Sequence, residues 1–295
     1  MNDHGRSGAD LRGRHAVVTG ATSGIGSVVA CDLARLGADV TLLGRDAVRG
    51  QVALEAVREA GRIAGHAGGD HRLVLADFAD LSSVVDAAGA IGERGVIDAL
   101  INNAGLISGR RVLTVDGNEL SFQVNHLAHF LLTNLLLDHL LAARSARVVT
   151  VSSDAHLRAW SGIRFGDLTY ERGYDPFGAY AHAKLANILF AYELARRTEG
   201  TTVTSSAVHP GVVRTGFGRG WQDPFGIVWK LLSPLWLTPE RGADSVTYVA
   251  SAAQLEGVTG RYYYRRRPRR SSPASNNETA AASLWGVSLE LTGLA

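Results

Sequence analysis

The sequence predicts an α/β protein: a doubly wound parallel sheet with helices on both faces, formed as a single domain. Three observations lead there. Short, continuously apolar, β-branched runs recur along the chain and alternate with segments of helical periodicity. Each apolar run ends in small or polar residues, so the unusual clusters collect at strand ends. Neither an internal repeat nor a linker divides the chain. Right-handed crossovers make such a sheet doubly wound and place its ligand site outside the strand carboxyl ends.

The elements run in order. "HAVVTG" is a first strand, "TGATSGIG" a glycine turn, and "GSVVACDLARLG" a helix that closes on Gly37. "DVTLLG" is the second strand. It leads into the helix "DAVRGQVALEAVREAG", with Asp46 as N-cap and Gly61 as C-cap. "HRLVLAD", "IDALINNAG", "ARVVTVSS" and "TTVTSSAVHPG" repeat the strand pattern. "LAHFLLTNLLLDHLL", Leu127 to Leu141, reads as a helix buried on most of its circumference, in the core or at a contact of a homo-oligomer. Its length, Asn134, Asp138 and two histidines make it unfit to span a bilayer. "LANILFAYELARR" continues a helix begun at "YAHAK". Residues 1–12 are expected to be disordered, and 13–295 to form the domain. Within it, a substrate-side lid is expected over about 214–240, and a polar loop and final helix over about 261–293. The basic run "RYYYRRRPRR", Arg261 to Arg270, reads as a solvated loop, with an anionic substrate group or an acidic membrane surface as the functional alternatives.

Bulk properties narrow the function. With 46% hydrophobic and 20% charged residues, the 295-residue chain has material for a large core. A net charge of +2 is too small to imply nucleic acid or a membrane surface as partner. Cys31 is the only cysteine, so no intrachain disulfide forms. It reads as a small core residue, and its solitude points to a reducing compartment. The N-terminal stretch lacks an apolar signal core, from which a cytoplasmic location is expected. The ten histidines show no metal-ligand spacing, and no metal is expected.

Two clusters carry chemistry. Between a first strand and a first helix, glycines at 20, 24 and 26 allow a tight turn and close backbone approach to phosphate oxygens. The helix N-terminus adds free N–H groups, and the pattern points to a dinucleotide. In "YAHAK", Tyr180 and Lys184 stand at i and i+4 on one helical face. A free phenol titrates near pH ~10, so an acid/base tyrosine needs its phenolate stabilised, and a cation one turn away does that.

The spacing G-x-x-x-G-x-G, followed in order by "NNAG", "VTVSS", "YAHAK" and "HPGVVRT", resembles the short-chain dehydrogenase/reductase family over about residues 12–294. "KLANILFAYELARR", "AVHPGVVRT" and "NETAAASLWGVSLELTGL" resemble its retinol-dehydrogenase-like branch. The resemblance implies a Rossmann fold and hydride transfer between a nicotinamide cofactor and an alcohol or carbonyl. It implies a catalytic set of Asn125, Ser153, Tyr180 and Lys184: Ser153 hydrogen-bonds the substrate oxygen, Lys184 also holds the nicotinamide ribose, and Asn125 holds a relay water. Ser152 would pack nearby. Cofactor contacts are implied for Gly20, Thr22, Ser23, Gly24, Ile25 and Gly26 in the turn. Further along, they are implied for Asp77, Phe78, Asn103, Ala104, Gly105, Tyr180, Lys184, Pro210, Gly211, Val212 and Thr215. At the end of the second strand, where an NAD site places a carboxylate, stands Arg45. Its guanidinium suits a 2′-phosphate, which favours NADP(H) over NAD(H). Phe217, Trp221, Phe225, Trp229 and Trp236, with Trp160, suit an apolar wall for a hydrophobic substrate or else a packed helix pair. The alternative from another class is a catalytically silent NADP(H)-binding sensor or scaffold. Epimerisation or dehydration on the same site is a third reading.

Overall fold

The computed structural model describes residues 9–211 and 237–295. In its first half, β1 (His15–Thr19), α1 (Gly24–Arg35), β2 (Asp39–Gly44), α2 (Ala47–Ile63), β3 (Arg72–Leu75), α3 (Leu81–Gly92) and β4 (Ala99–Asn102) alternate. There follow α4 (Leu120–Phe122), a π turn (Gln123–Leu127), α5 (Ala128–Leu135), α6 (Leu137–Leu141) and β5 (Ala146–Val151). The remainder is α7 (Pro176–Arg197), β6 (Val203–His209), α8 (Pro239–Ser251), β7 (Arg261–Tyr264), β8 (Arg267–Pro268) and α9 (Glu278–Thr292). The strands form one sheet in the order β3-β2-β1-β4-β5-β6-β7-β8. All neighbours are parallel except β7 and β8.

Order reverses at β1, where the chain crosses from β3 to β4 on the other side. The carboxyl ends of β1 and β4 therefore border a crevice, the usual ligand position in an open parallel sheet. Strand alternation divides the core. Val17, Leu43, Leu100 and Val148 face a layer that includes α3, α5 and Trp285 of α9. Ala16, Val18, Val40, Leu42 and Ile101 face α1, α2 and α8. The side-chain period of two in each strand thus feeds both faces, which is why the strands read as unbroken apolar runs.

Several local expectations hold. Asp46 caps α2 by accepting from the Arg49 N–H, and Gly37 follows α1 at φ +94°. Cys31 lies partly buried against the α1 side of the core. Others are corrected. Gly61 does not end α2; it is buried inside the helix, which runs on to Ile63 before Ala64 caps it. The Leu127–Leu141 segment is not one helix, since it leaves a π turn and breaks again at Leu136. The basic run is not a solvated loop throughout. "RYYY" is β7, with Tyr262 and Tyr263 only 2% and 1% exposed, and Arg267–Pro268 adds an antiparallel edge. Leu11, at the end of the segment expected to be disordered, donates its N–H to the Leu36 carbonyl and packs on the core. Among the described residues, no helix is long and apolar enough to cross a membrane.

Candidate active site

The glycine turn is built for close backbone approach. Gly20 and Gly24 hold φ of +64° and +60°. A Cβ on Gly26 would stand 2.4 Å from the Gly20 carbonyl oxygen and 2.5 Å from Asn103 Nδ2, so only glycine fits there. That asparagine amide donates to the Thr19 carbonyl, and Thr19 Oγ1 accepts from the Asn103 and Ala104 N–H groups. The "NNAG" segment is thereby stitched to the end of β1. His129 extends the stitch. Its Nδ1–H donates to the Asn125 carbonyl, so its Nε2 accepts from the Thr19 hydroxyl at 2.8 Å. Burial pulls the His129 pKa down to about 3, which keeps the ring neutral in that tautomer.

The start of α1 differs from those of α2, α3, α7 and α9. Asp46, Asp80, Asp175 and Asn277 each accept backbone N–H groups at the heads of α2, α3, α7 and α9. Ser23, in extended backbone ahead of α1, makes no such bond. Among the described residues no side chain caps the first N–H groups of α1, which suit a phosphate. Thr22 packs so closely on Gly44 that a Cβ there would meet Thr22 Cγ2 at 2.2 Å. The turn therefore lies against the end of β2, where Arg45 is exposed. The ion-pair partner of Asp46 is Arg49, not Arg45. Asp77 is exposed beyond β3, and the residue that caps α3 is Asp80. Phe78 turns its side chain into the core against His129, so anything it offers a cofactor comes from its backbone.

Beyond β5 the acid/base candidates converge. Ser153, half-buried, heads a 3-10 turn, Asp154–Arg158, and its Oγ accepts from the Ala155 N–H. The Tyr180 phenol, one turn inside α7, lies near enough to the Ser153 hydroxyl for that group to favour its ionised form. Lys184 is buried, with Nζ 5.5 Å from the centre of the Tyr180 ring and donating to the Val151 carbonyl at 3.1 Å. Ser152 is buried and donates to the Lys184 carbonyl at 2.7 Å. It fastens α7 to the strand end and leaves Ser153 as the serine that faces the phenol. Asn125 sits in the π turn, a local widening often found at functional positions. Its Nδ2 donates to the Leu106 and Ser121 carbonyls, and its buried Oδ1 has no hydrogen-bond partner among the described residues. A Cβ built on Gly105 would lie 2.5 Å from that oxygen and 3.5 Å from Lys184 Nζ, so the three residues border one small space.

Burial governs the ionisation of the pair. It raises the Tyr180 phenol above its ordinary value, with the Ser153 hydroxyl pulling the other way, and lowers Lys184 to about 7. The sequence pattern alone suggests an ammonium that simply depresses the phenol. In the folded chain the desolvation of each group is the largest influence on it.

Pro210 is buried after β6, and Gly211 holds φ +91°. Val212 and Thr215 lie outside the described residues, as do the five aromatics from Phe217 to Trp236 and most of the expected lid. Trp160, placed with them as a pocket wall, is 81% exposed. Sequence reasoning overlooked Thr19 and His129. Their signal, a polar residue closing an apolar strand and a histidine within an apolar helix, is too common to single them out.

A glycine turn at the switch point of a parallel sheet, with a Ser–Tyr–Lys cluster beyond β5 on the far side of β4, is the arrangement of a Rossmann-fold oxidoreductase. The family model for short chain dehydrogenases matches residues 14–165, and the chain belongs to that family as a dehydrogenase acting on CH–OH groups. It is 40% identical to human retinol dehydrogenase 14 over 98% of this chain and 90% of that protein. It is also 40% identical to human retinol dehydrogenase 12, over 98% and 89%. Among solved structures, an uncharacterised protein from Mycobacterium paratuberculosis superposes with a TM-score of 0.76 at 34% identity, covering 97% of this chain and 96% of that one. A short chain dehydrogenase from Burkholderia cenocepacia J2315, solved in complex with NADP, shares the fold with a TM-score of 0.67 at 24% identity, over 86% and 96%.

Proposed function

We propose that the protein transfers hydride between NADP(H) and a hydrophobic alcohol or carbonyl compound, with Ser153, Tyr180, Lys184 and Asn125 as its acid/base set. The observation that carries this reading is the convergence of the Ser153 hydroxyl and the Tyr180 phenol, with the buried Lys184 amine 5.5 Å from the centre of the phenol ring. The bound nicotinamide supplies or accepts the hydride. The chain's own residues handle the oxygen and its proton. Ser153 donates to the substrate oxygen as negative charge grows there, and Tyr180 delivers the proton. Lys184, as an ammonium, steadies the resulting phenolate. The partnerless Asn125 Oδ1 beside Lys184 is an acceptor suited to a water that returns the proton from solvent.

The uncapped head of α1, with Gly20, Gly24 and Gly26 and the neighbouring Asn103, Ala104 and Gly105, suits the cofactor phosphates and adenosine half. The exposed Arg45 at the end of β2, with Asp46 already paired to Arg49, supports NADP(H) over NAD(H). The hydrophobic class of substrate is supported by the two human relatives, whose names specify retinol. A cytoplasmic location goes with this reading on the strength of the single cysteine, and cell fractionation tests it. The functional test is turnover of a panel of hydrophobic aldehydes with NADPH and with NADH. NADPH-dependent reduction is expected. Tight NADPH binding with no turnover across the panel, in a folded sample, would refute the reading in favour of a nucleotide sensor.

A further inference from the structure

The residue after Ser153 is the hub of a polar junction that the acid/base roles leave unused. The Asp154 carboxylate accepts from the Tyr262 hydroxyl at 3.0 Å and from Arg269 Nη1 at 2.9 Å. His209 Nε2 faces the same carboxylate at 3.6 Å. These partners come from β7, from the basic run beyond it, and from the end of β6. Further along the same turn, His156 donates from Nδ1 to the Ser153 carbonyl at 2.7 Å. Its Nε2 accepts from the Ser272 N–H at 3.1 Å.

His209 closes β6 and braces the Pro210–Gly211 loop next to it. Its Nδ1 accepts from the Gly211 N–H at 3.4 Å, which leaves the proton on Nε2, aimed at Asp154. Its ring is stacked on Tyr264 at 5.1 Å, and burial holds it neutral with a pKa of about 4. One carboxylate therefore meets both the turn that carries Ser153 and the histidine that fixes the Pro210–Gly211 loop. The alternation of β7 supplies the rest, with Tyr262 reaching Asp154 and Tyr264 backing His209.

We infer that Asp154 is a positioning residue: anchored by Tyr262 and Arg269, it holds the Ser153 turn in register with the cofactor-side loop after β6. Asp154 touches neither substrate nor cofactor in this role and acts through Ser153. The inference rests on the proposed role of Ser153. It also gives the basic run a task, since Arg269 is a structural anchor and not merely a solvated charge.

The test is single- and multiple-turnover kinetics of the full chain with NADPH and decanal as the probe aldehyde. Asp154→Asn keeps the shape but removes the charge, and should lower kcat by about 10-fold with KM within about 2-fold, the cost of a slightly misplaced hydrogen-bond donor. Added to Ser153→Ala, it should cost no more than about a further 2-fold, because residues acting through one another are not additive. A merely structural role would multiply the two losses. Tyr262→Phe and Arg269→Gln each remove one anchor and should lower kcat about 3-fold, again without a KM change. They decide the matter alone if Asp154→Asn does not fold. Parental kcat in Asp154→Asn, fully multiplicative losses, or a change confined to KM would each overturn the inference. A parent protein that turns over no probe would instead defeat the functional reading itself, and this inference with it.

Discussion

Replacing Lys184 by methionine should make the protein more stable while abolishing turnover. Lys184 is 3% exposed, and burial lowers its pKa from 10.5 to about 7. Between those values the unfolded chain holds a proton that the folded chain does not. The burial penalty is therefore complete below pH ~7, relaxes as pH rises, and is gone above ~10.5. At 1.36 kcal/mol per pK unit the penalty at pH 7 is about 4 kcal/mol, and at pH 9 about 2 kcal/mol. Methionine fills similar space without the charge. Among the described residues the hydrogen bond lost is the one to the Val151 carbonyl, which keeps Asn187 Nδ2 as a donor at 3.1 Å. Urea unfolding of parent and Lys184→Met at pH 7 and pH 9 measures this, with m-values compared to confirm a common unfolded reference. The variant should be more stable at pH 7, with roughly half that advantage at pH 9, and at least about 100-fold slower in turnover. A variant less stable than the parent, or an advantage independent of pH, would refute the burial argument.

Other outcomes rest on the same geometry. Gly26→Ala forces a Cβ against the Gly20 carbonyl and Asn103 Nδ2; thermal unfolding should show a loss of about 1–3 kcal/mol, and titration should show weakened NADPH binding. Arg45→Glu should weaken NADPH binding by about 10-fold or more, one charge-assisted contact, while sparing NADH; equal effects on both cofactors would remove Arg45 from the 2′-phosphate. Ser152→Ala removes the hydroxyl that fastens Lys184's carbonyl to the strand end, and should cost about 1 kcal/mol of stability, read by urea unfolding, with turnover largely retained.

Much of the frame is legible in the sequence because it obeys local rules. The β1–glycine turn–α1 unit shows itself through spacing, and Tyr180 and Lys184 show themselves through helical periodicity. Asp46 is readable as a cap because a carboxylate before an amphipathic run has one obvious partner, the free N–H groups behind it. The failures share a cause. Gly61 resembles a helix end, but packing carries α2 past it, and tertiary contact overrides propensity. β7 is hidden because its three tyrosines sit among arginines. Composition there signals solvent, whereas alternation buries Tyr262 and Tyr263 on opposite sides of the sheet. The π turn at Asn125 and the Thr19–His129 stitch depend on residues distant in the chain, and no window of sequence displays them.

The proposed chemistry meets its sharpest test in a paired measurement on the parent and Tyr180→Phe: NADPH affinity by fluorescence, then single-turnover reduction of a hydrophobic aldehyde by the bound cofactor. Affinity should be similar in the two proteins, and the hydride-transfer rate lower in the variant by roughly two orders of magnitude or more. Equal rates, or a parent that binds NADPH firmly and never transfers hydride, would contradict the assignment of Tyr180 as the acid/base.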